Sequence, residues 1–408
     1  MNSKKKLFRL ATLGCRTNQY ESQAYRDQLL GLGYKEAEEG EAADLCIVNT
    51  CTVTESADRS SRHQIRVLKR ENPGAELVVT GCLAQRQPDE LLQLGGVSKV
   101  VPNLKKERLV AELFPGDEIP EFSVKNFEGQ TRAFVKVQDG CNSFCTYCII
   151  PYVRGRSRSR EIGTVVAEVE QLVVAGFKEV VITGINVGDF EGGLAKLVRA
   201  VDGIDGLQRL RISSIDPDEV DEELGDVVLN GRTTCRSMHI VLQSGSDGVL
   251  KRMNRKYTRK IFLDTIERLR HADPDFTFTT DVIVGFPGES EADFEATLEV
   301  IRETGFVKVH MFPFSPRERT RAALYFDQLA PELINERKQR VLQLSEEVAF
   351  KRRERYLGSK MMVLTEKQNR GHSDNFLEVS IVGGELKPNE LLDVTITENT
   401  PEGLVGEV

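Results

Sequence analysis

The sequence predicts an α/β protein made of an N-terminal open parallel α/β domain, a central partial (βα)6 barrel and a small C-terminal β-barrel. Three patterns carry that expectation. Apolar strand-like runs alternate with helical periodicity from Phe8 to about Phe314, as parallel sheets with helical crossovers require. Three early strands each end in a cysteine, which marks the carboxyl edge of one sheet. Past Gly358 the pattern changes to short alternating runs. The corresponding domain boundaries are 1–120, 127–357 and 358–408, and 40% hydrophobic residues in 408 supply ample core.

In the first domain Phe8 to Leu13, Asp44 to Val48 and Glu76 to Val79 read as strands, separated by helices from Gln19 to Leu32 and Glu55 to Arg70. They end in Leu13-Gly14-Cys15, Asn49-Thr50-Cys51 and Thr80-Gly81-Cys82. Ligands of open parallel sheets bind beyond the carboxyl ends of the strands, so Cys15, Cys51 and Cys82 should converge as a metal site. The competing reading is that cysteine is simply a small buried residue. Equivalent placement of three, beside small residues, favours the site. Cys46, inside a strand, and Cys235, after a polar turn, read as core or incidental residues.

The central domain shows strands at Ala133 to Val137, Glu179 to Thr183, Arg209 to Ser213, His239 to Gln243, Phe276 to Val284 and Phe306 to Phe312. Helical stretches such as Val165 to Ala175, Tyr257 to Arg270 and Glu291 to Glu303 separate them, and six such units make an incomplete barrel. Just after its first strand comes Cys141-x-x-x-Cys145-x-x-Cys148, with Phe144 and Tyr147 among the thiols. Three thiolates hold three irons of a four-iron cluster and leave the fourth open to a small molecule. Zinc is the alternative, but structural zinc closes with four protein ligands, and no fourth Cys or His follows at finger-like spacing. Polar or glycine-containing turns follow the other strands, and barrel active sites sit at that rim.

Arg154, Arg156, Arg158 and Arg160 then occupy alternate positions; an extended chain would set four guanidinium groups on one face, a comb suited to phosphates. The bland reading is a solvated or acid-paired charge run. A long helix from Pro331 to about Tyr356, with Ile334, Val341, Leu344 and Val348 on one face, leads to strand-like runs Lys360 to Thr365, Phe376 to Val382 and Leu391 to Thr397.

A net charge of -8 gives no global pull toward nucleic acid, so a polyanion must be met by local basic patches. Eight cysteines in so long a chain do not form a secreted disulfide framework, and reduced thiols are expected. No apolar run reaches the roughly 18 residues of a membrane span, which predicts a soluble, cytoplasmic protein with no membrane partner. Lys4-Lys5-Lys6 before Leu7 to Leu13 and Cys15 superficially resembles a lipoprotein signal, but that stretch is too short and Arg9 interrupts it.

The cysteine motif at the head of an α/β barrel, with the N-terminal trio, resembles the methylthiotransferases of the radical S-adenosylmethionine superfamily. The shared stretches are Gly14-Cys15-Arg16-Thr17-Asn18-Gln19-Tyr20-Glu21-Ser22, Asn49-Thr50-Cys51-Thr52-Val53-Thr54, Gly81-Cys82, Gln138-Asp139-Gly140-Cys141, Leu242-Gln243-Ser244-Gly245-Ser246 and Gly285-Phe286-Pro287-Gly288-Glu289. Asn18 to Ser22 looks like the branch acting on threonylcarbamoyladenosine at position 37, beside the tRNA anticodon. The resemblance implies two [4Fe-4S] clusters and S-adenosyl-L-methionine. Cys141, Cys145 and Cys148 would carry the catalytic cluster, which cleaves S-adenosylmethionine so that hydrogen is abstracted at C2 of the adenine. The cluster on Cys15, Cys51 and Cys82 would supply the sulfur. Tyr147, Gly184, Ser213, Gln243 and Asp281 lie where related barrels contact S-adenosylmethionine, and the C-terminal barrel holds the place of the RNA-binding TRAM domain. The partners implied are the anticodon stem-loop of tRNA, a reductant and a sulfur source, with the protein a monomer. Asp216 replaces a more usual glutamate, and Arg319-Thr320-Arg321 replaces a common Gly-Thr-Pro. Rival readings are the same chemistry on isopentenyladenosine or a ribosomal-protein aspartate, or a non-catalytic iron-sulfur or zinc RNA-binding protein.

Overall fold

The computed structural model describes residues 6–127 and 129–408, so Lys4 and Lys5 of the signal-like stretch lie outside the described residues. Its first sheet is built from β1 (Leu7–Thr12), β2 (Lys35–Glu36), β3 (Leu45–Thr50), β4 (Glu76–Gly81) and β5 (Lys99–Val100), all parallel, in the order β2-β1-β3-β4-β5. Every residue of β3 is buried, because helices cover both faces and the strand must be apolar throughout. Cys46, Val48, Leu77 and Val79 pack with Ile65 and Leu68 on one side; Phe8, Ile47 and Val78 pack with Tyr25 and Leu29 on the other. Each such side chain removed from water contributes about 1.5–3 kcal/mol. The two-residue edge strands β2 and β5 are too short to show a period.

The central unit contains β6 (Arg132–Lys136), β7 (Gln138–Asp139), β8 (Arg158–Ser159), β9 (Glu179–Thr183), β10 (Arg209–Ile212), β11 (Ser237–His239), β12 (Thr277–Val284) and β13 (Lys308–Pro313). Sheets β10-β9-β6 and β11-β12-β13 are parallel, and the single bridges Leu210↔Thr234 and Ile215↔Ile240 join them. Six strands in sequence order thus curve into an incomplete barrel, while β7 and β8 form a small antiparallel ribbon outside it. The strand expected at His239 to Gln243 instead runs Ser237–His239; beyond it only the single bridges Ile215↔Ile240 and Gln243↔Val282 remain, and Gln243 takes a left-handed φ of 61°. Tyr20 and Ala24, from the N-terminal helix Arg16–Gly31, enter the barrel's own core beside Val124 and Phe127, so the first domain is seated on the barrel.

After the helix Pro331–Arg353, β14 (Lys360–Thr365), β15 (Arg370–Ser373), β16 (Glu378–Val382), β17 (Leu391–Thr400) and β18 (Gly403–Glu407) close a small barrel in the order β14-β15-β16-β18-β17. Only β16 and β18 pair parallel, the arrangement of an OB-type Greek-key barrel. Arg209 donates to the carbonyls of His372 and Met362 at 2.8 and 2.5 Å, and Arg211 to those of Asp374 and Ser373 at 3.1 and 3.3 Å. The tip of the β15–β16 turn therefore sits under the amino ends of the large barrel's strands. No helix among the described residues is long and apolar enough to cross a membrane.

Candidate active site

Cys15, Cys51 and Cys82 stand directly after β1, β3 and β4, at the carboxyl edge of the first sheet. Close approach of these strand ends depends on two glycines. Gly14 (φ +100°) faces Cys51, where a Cβ would meet Cβ at 2.9 Å and Sγ at 3.0 Å, and Gly81 (φ +94°) lies on the Thr50 carbonyl, 2.4 Å from where its Cβ would be. Cys15 caps the sixteen-residue helix Arg16–Gly31, whose amino end favours an anion. Burial, then the neighbouring thiols of Cys82 and Cys15, pushes Cys51 up to about 12, and burial raises Cys82 as well. Protonated thiols so close repel one another on ionising; a bound metal reverses that preference by deprotonating its ligands.

The second trio lies on the loop after β7. Cys148 N–H donates to the Cys145 carbonyl at 3.0 Å and Ser143 N–H to Cys141 Sγ at 3.4 Å. Thr146 ties this loop to the segment after the helix Asp247–Arg252, through its N–H to the Met253 carbonyl and its Oγ1 to that of Arg252, both at 2.9 Å. That tie brings Arg255 to Cys145, Nη1 to Sγ 3.0 Å, with Asp216 as its ion-pair partner. Burial, with Cys145 and Cys141 alongside, pushes Cys148 up to about 12.

Both trios thus suit an iron-sulfur group. Each is unbridged by disulfide, and each has one arginine donating to a sulfur, the other being Arg154 Nε on Cys82 Sγ at 3.3 Å. Among the described residues no three His, Cys, Asp or Glu side chains close on one point as the ligands of a single ion do.

Arg154 corrects the expected comb. It ends the short helix Ile150–Arg154, and Gly155 turns the chain, so the four arginines do not share an extended face. Arg154 is 0% exposed and its Nη1 reaches Glu21 at 3.1 Å and Asp139 at 2.9 Å, with Asn18 on Nη2. It therefore cannot meet RNA in this arrangement. Lys106 joins the same two acids at 2.6 and 2.5 Å. Burial works to raise the Glu21 carboxyl, but Arg154, Lys106 and Lys136 hold it at about 2. Arg160 is half-buried against Glu168 at 2.5 Å and Tyr20. Arg156, stacked on Phe144 at 4.4 Å, and Arg158 stay exposed.

A cavity of about 570 Å³ fills the barrel lumen. Cys15, Arg16, Gly184, Ser213, His239 and Asp281 are among the residues on its wall, and Phe376 from the small barrel reaches its floor. Of the expected S-adenosylmethionine contacts, Gly184, Ser213 and Asp281 meet here, and the Ser213 hydroxyl is buried without a hydrogen-bond partner among the described residues. Tyr147 packs edge-on against Phe286 at 6.5 Å, and Gln243 holds β12, accepting from Ile283 N–H at 2.9 Å; neither lines this cavity. Sequence reasoning missed Arg16, Arg255, His239 and His310, whose partners are distant in the chain. Arg16 stood inside a quoted motif, beside Cys15, and that position was the available signal.

Residues 7–102 match the Uncharacterized protein family UPF0004, and residues 135–301 match the Radical SAM superfamily. A threonylcarbamoyladenosine tRNA methylthiotransferase MtaB of Chlamydia pneumoniae is 51% identical over 411 residues, covering 98% of each chain. This chain belongs to the radical S-adenosylmethionine methylthiotransferase family. A threonylcarbamoyladenosine tRNA methylthiotransferase MtaB of Bacillus subtilis is 37% identical over 416 residues, 94% of this chain and 92% of that one. Among solved structures, the radical S-adenosylmethionine methyltransferase TsrM of Kitasatospora setae superposes with a TM-score of 0.56 at 16% identity, over 76% of this chain and 75% of that one, a likeness of fold. As a radical S-adenosylmethionine protein, the chain uses a [4Fe-4S] cluster and S-adenosylmethionine.

Proposed function

We propose that this chain adds a methylthio group to C2 of N6-threonylcarbamoyladenosine at position 37 of tRNA, with one [4Fe-4S] cluster on Cys141, Cys145 and Cys148 and another on Cys15, Cys51 and Cys82. The observation that carries the reading is the lumen cavity that joins Cys15 to the barrel rim at Gly184, Ser213 and Asp281. A base entering there would meet the edge of the first sheet and the barrel together. The 51% identity to a threonylcarbamoyladenosine tRNA methylthiotransferase supports the same substrate.

When bound, the cluster and S-adenosylmethionine supply the radical chemistry that removes an unactivated hydrogen. The polypeptide's part is placement and exclusion of water. Arg255 and Arg154 steady one sulfur in each trio, and the buried ion pairs behind Arg154 fix the first domain on the barrel. Gly184, Ser213 and Asp281 would contact S-adenosylmethionine or the base, with Tyr147 and Gln243 supporting the rim. Exposed Arg156 and Arg158, near the aromatic ring of Phe144, would take the anticodon stem-loop. Three units, 1–120, 127–357 and 358–408, would carry sulfur supply, radical generation and RNA capture.

Anaerobic reconstitution followed by nucleoside mass spectrometry tests this. The native chain should take up about eight irons and methylthiolate threonylcarbamoyladenosine. Replacing Cys15, Cys51 and Cys82 by Ala should halve the iron, keep S-adenosylmethionine cleavage and abolish methylthio transfer. Replacing Cys141, Cys145 and Cys148 should halve it and abolish both. Methylthio transfer to isopentenyladenosine instead would reject the substrate, and failure to cleave S-adenosylmethionine would reject the chemistry.

A further inference from the structure

The lumen cavity carries more positive charge than its own walls neutralise. Arg16, Lys308 and Arg211 all line it. Arg211 is committed to Glu179, Nε to Oε1 at 2.9 Å. Arg16 has only the face of Phe134, 5.7 Å from its guanidinium carbon, and forms no ion pair or hydrogen bond with any described residue. Lys308, the first residue of β13, is exposed at the cavity's edge and is also unpaired among the described residues. The one carboxylate on the wall, Asp281, already faces His239, Oδ1 to Nε2 3.4 Å. Glu179 and Asp281 act on the Arg16 guanidinium only through space, outweighed by burial and by Arg132 and Arg211. A group drawn out of bulk water with no anion in direct contact is therefore unfavourable until a ligand completes it, and its fork matches a carboxylate in bidentate fashion.

We infer that Arg16, aided by Lys308, receives the carboxylate of the threonylcarbamoyl substituent and so selects that nucleoside over one whose N6 substituent is uncharged. This rests on the substrate reading above. S-adenosylmethionine also brings a carboxylate and would reach this wall at Gly184, Ser213 and Asp281, but on the family resemblance its amino and carboxylate end would bind at the Cys141, Cys145 and Cys148 trio, none of which lines this cavity. Arg16 instead follows Cys15, on the sulfur-supplying side where C2 of the base must arrive, and the N6 substituent of the same ring is then within the lumen. An apolar prenyl group placed there would strip water from two unpaired cations and return nothing.

The test measures equilibrium binding of the full-length reconstituted protein to two anticodon stem-loops that differ only in carrying threonylcarbamoyl or hydrogen at N6 of position 37. A parallel arm measures S-adenosylmethionine binding by equilibrium dialysis. The native chain should prefer the threonylcarbamoyl RNA by about tenfold or more, the worth of a charge-assisted contact. Arg16→Gln should bring that ratio close to unity, and Arg16→Lys should restore part of it. Methyl esterification of the threonyl carboxylate should abolish the preference of the unaltered protein, a result independent of how any variant folds. A preference untouched by Arg16→Gln and by esterification would overturn the assignment while leaving the substrate standing. A ratio unchanged while S-adenosylmethionine affinity drops would overturn it in favour of the cofactor's carboxylate. No preference in the native chain would overturn both this inference and the substrate reading.

Discussion

Glu219 follows β10 and is half-buried beside another acid. Burial first, and then Asp216, pushes its carboxyl up to about 7, although Asn186 Nδ2 and the Asp216 N–H donate to it at 2.9 and 3.3 Å. Between its ordinary value of 4.5 and about 7 the folded chain holds a proton there that the unfolded chain has released. The unfolded state binds fewer protons in that window, so stability falls as pH rises through it and is level above. Glu219→Gln keeps the shape and stays neutral. It should therefore raise stability at pH 8 by about 1–2 kcal/mol, after allowance for partial solvent screening, and change it little at pH 5. Thermal melts of both proteins at the two pH values decide it; equal shifts at both would show that the ionised carboxylate is not the cause. The neighbouring acid Asp216 is visible in the local sequence, but the burial that contributes most to the shift is set by the fold and is not.

At the level of elements, the small C-terminal barrel is joined to the large one by hydrogen bonds as well as by chain connection. Its β15–β16 turn accepts four hydrogen bonds from Arg209 and Arg211 together with the Met362 carbonyl of β14, and Phe376 lies 4.9 Å from the Arg211 guanidinium. Removing residues 358–408 would leave two buried guanidinium groups at the foot of β10 without those acceptors, each at a cost of about 1–3 kcal/mol for the lost bonds alone. A chain ending at Leu357 should therefore melt several degrees lower, or fail to accumulate in folded form, even without RNA. Unchanged melting would make the barrel a free appendage. Much of this architecture was legible beforehand: the runs at 179–183 and 360–365 match their strands to the residue, since a strand's apolar period is local. The arginine comb was misread for the same reason. Four alternating arginines have a strand's period, but Pro151 in the first turn of the helix and Gly155 after Arg154 coil the chain, and the acids that bury Arg154 lie as far off as Glu21. The places of the cysteines after their strands were legible because topology fixes strand ends; the contact of Arg255 with Cys145 was not, since it spans 110 positions.

For the molecule as a whole, the relative position of the two sulfur trios is set by the buried charges between them. Arg154, Lys106 and Lys136 face Glu21 of the first domain and Asp139 of the barrel, and Arg154 touches Cys82 as well. A buried ion network of this kind adds little net stability over an apolar equivalent, but deleting one member strands its partners. Arg154→Met should thus cost about 3–5 kcal/mol, seen as a lower melting temperature. Its second effect distinguishes a positional role from a purely structural one. The Cys141, Cys145 and Cys148 loop is held by Thr146 and Arg255, not by Arg154, so the variant should still cleave S-adenosylmethionine. Transfer of the methylthio group requires the two trios in register, and a displacement of about 1 Å is enough to lower it by about a hundredfold. Arg154→Lys keeps the charge but has no planar fork to span Glu21, Asp139 and Asn18 together, so it should recover stability more fully than transfer. If cleavage and transfer decline in parallel in both variants, the interface does not govern the spacing of the trios, and the registration of the two domains must come from the apolar packing of Tyr20 and Ala24 instead.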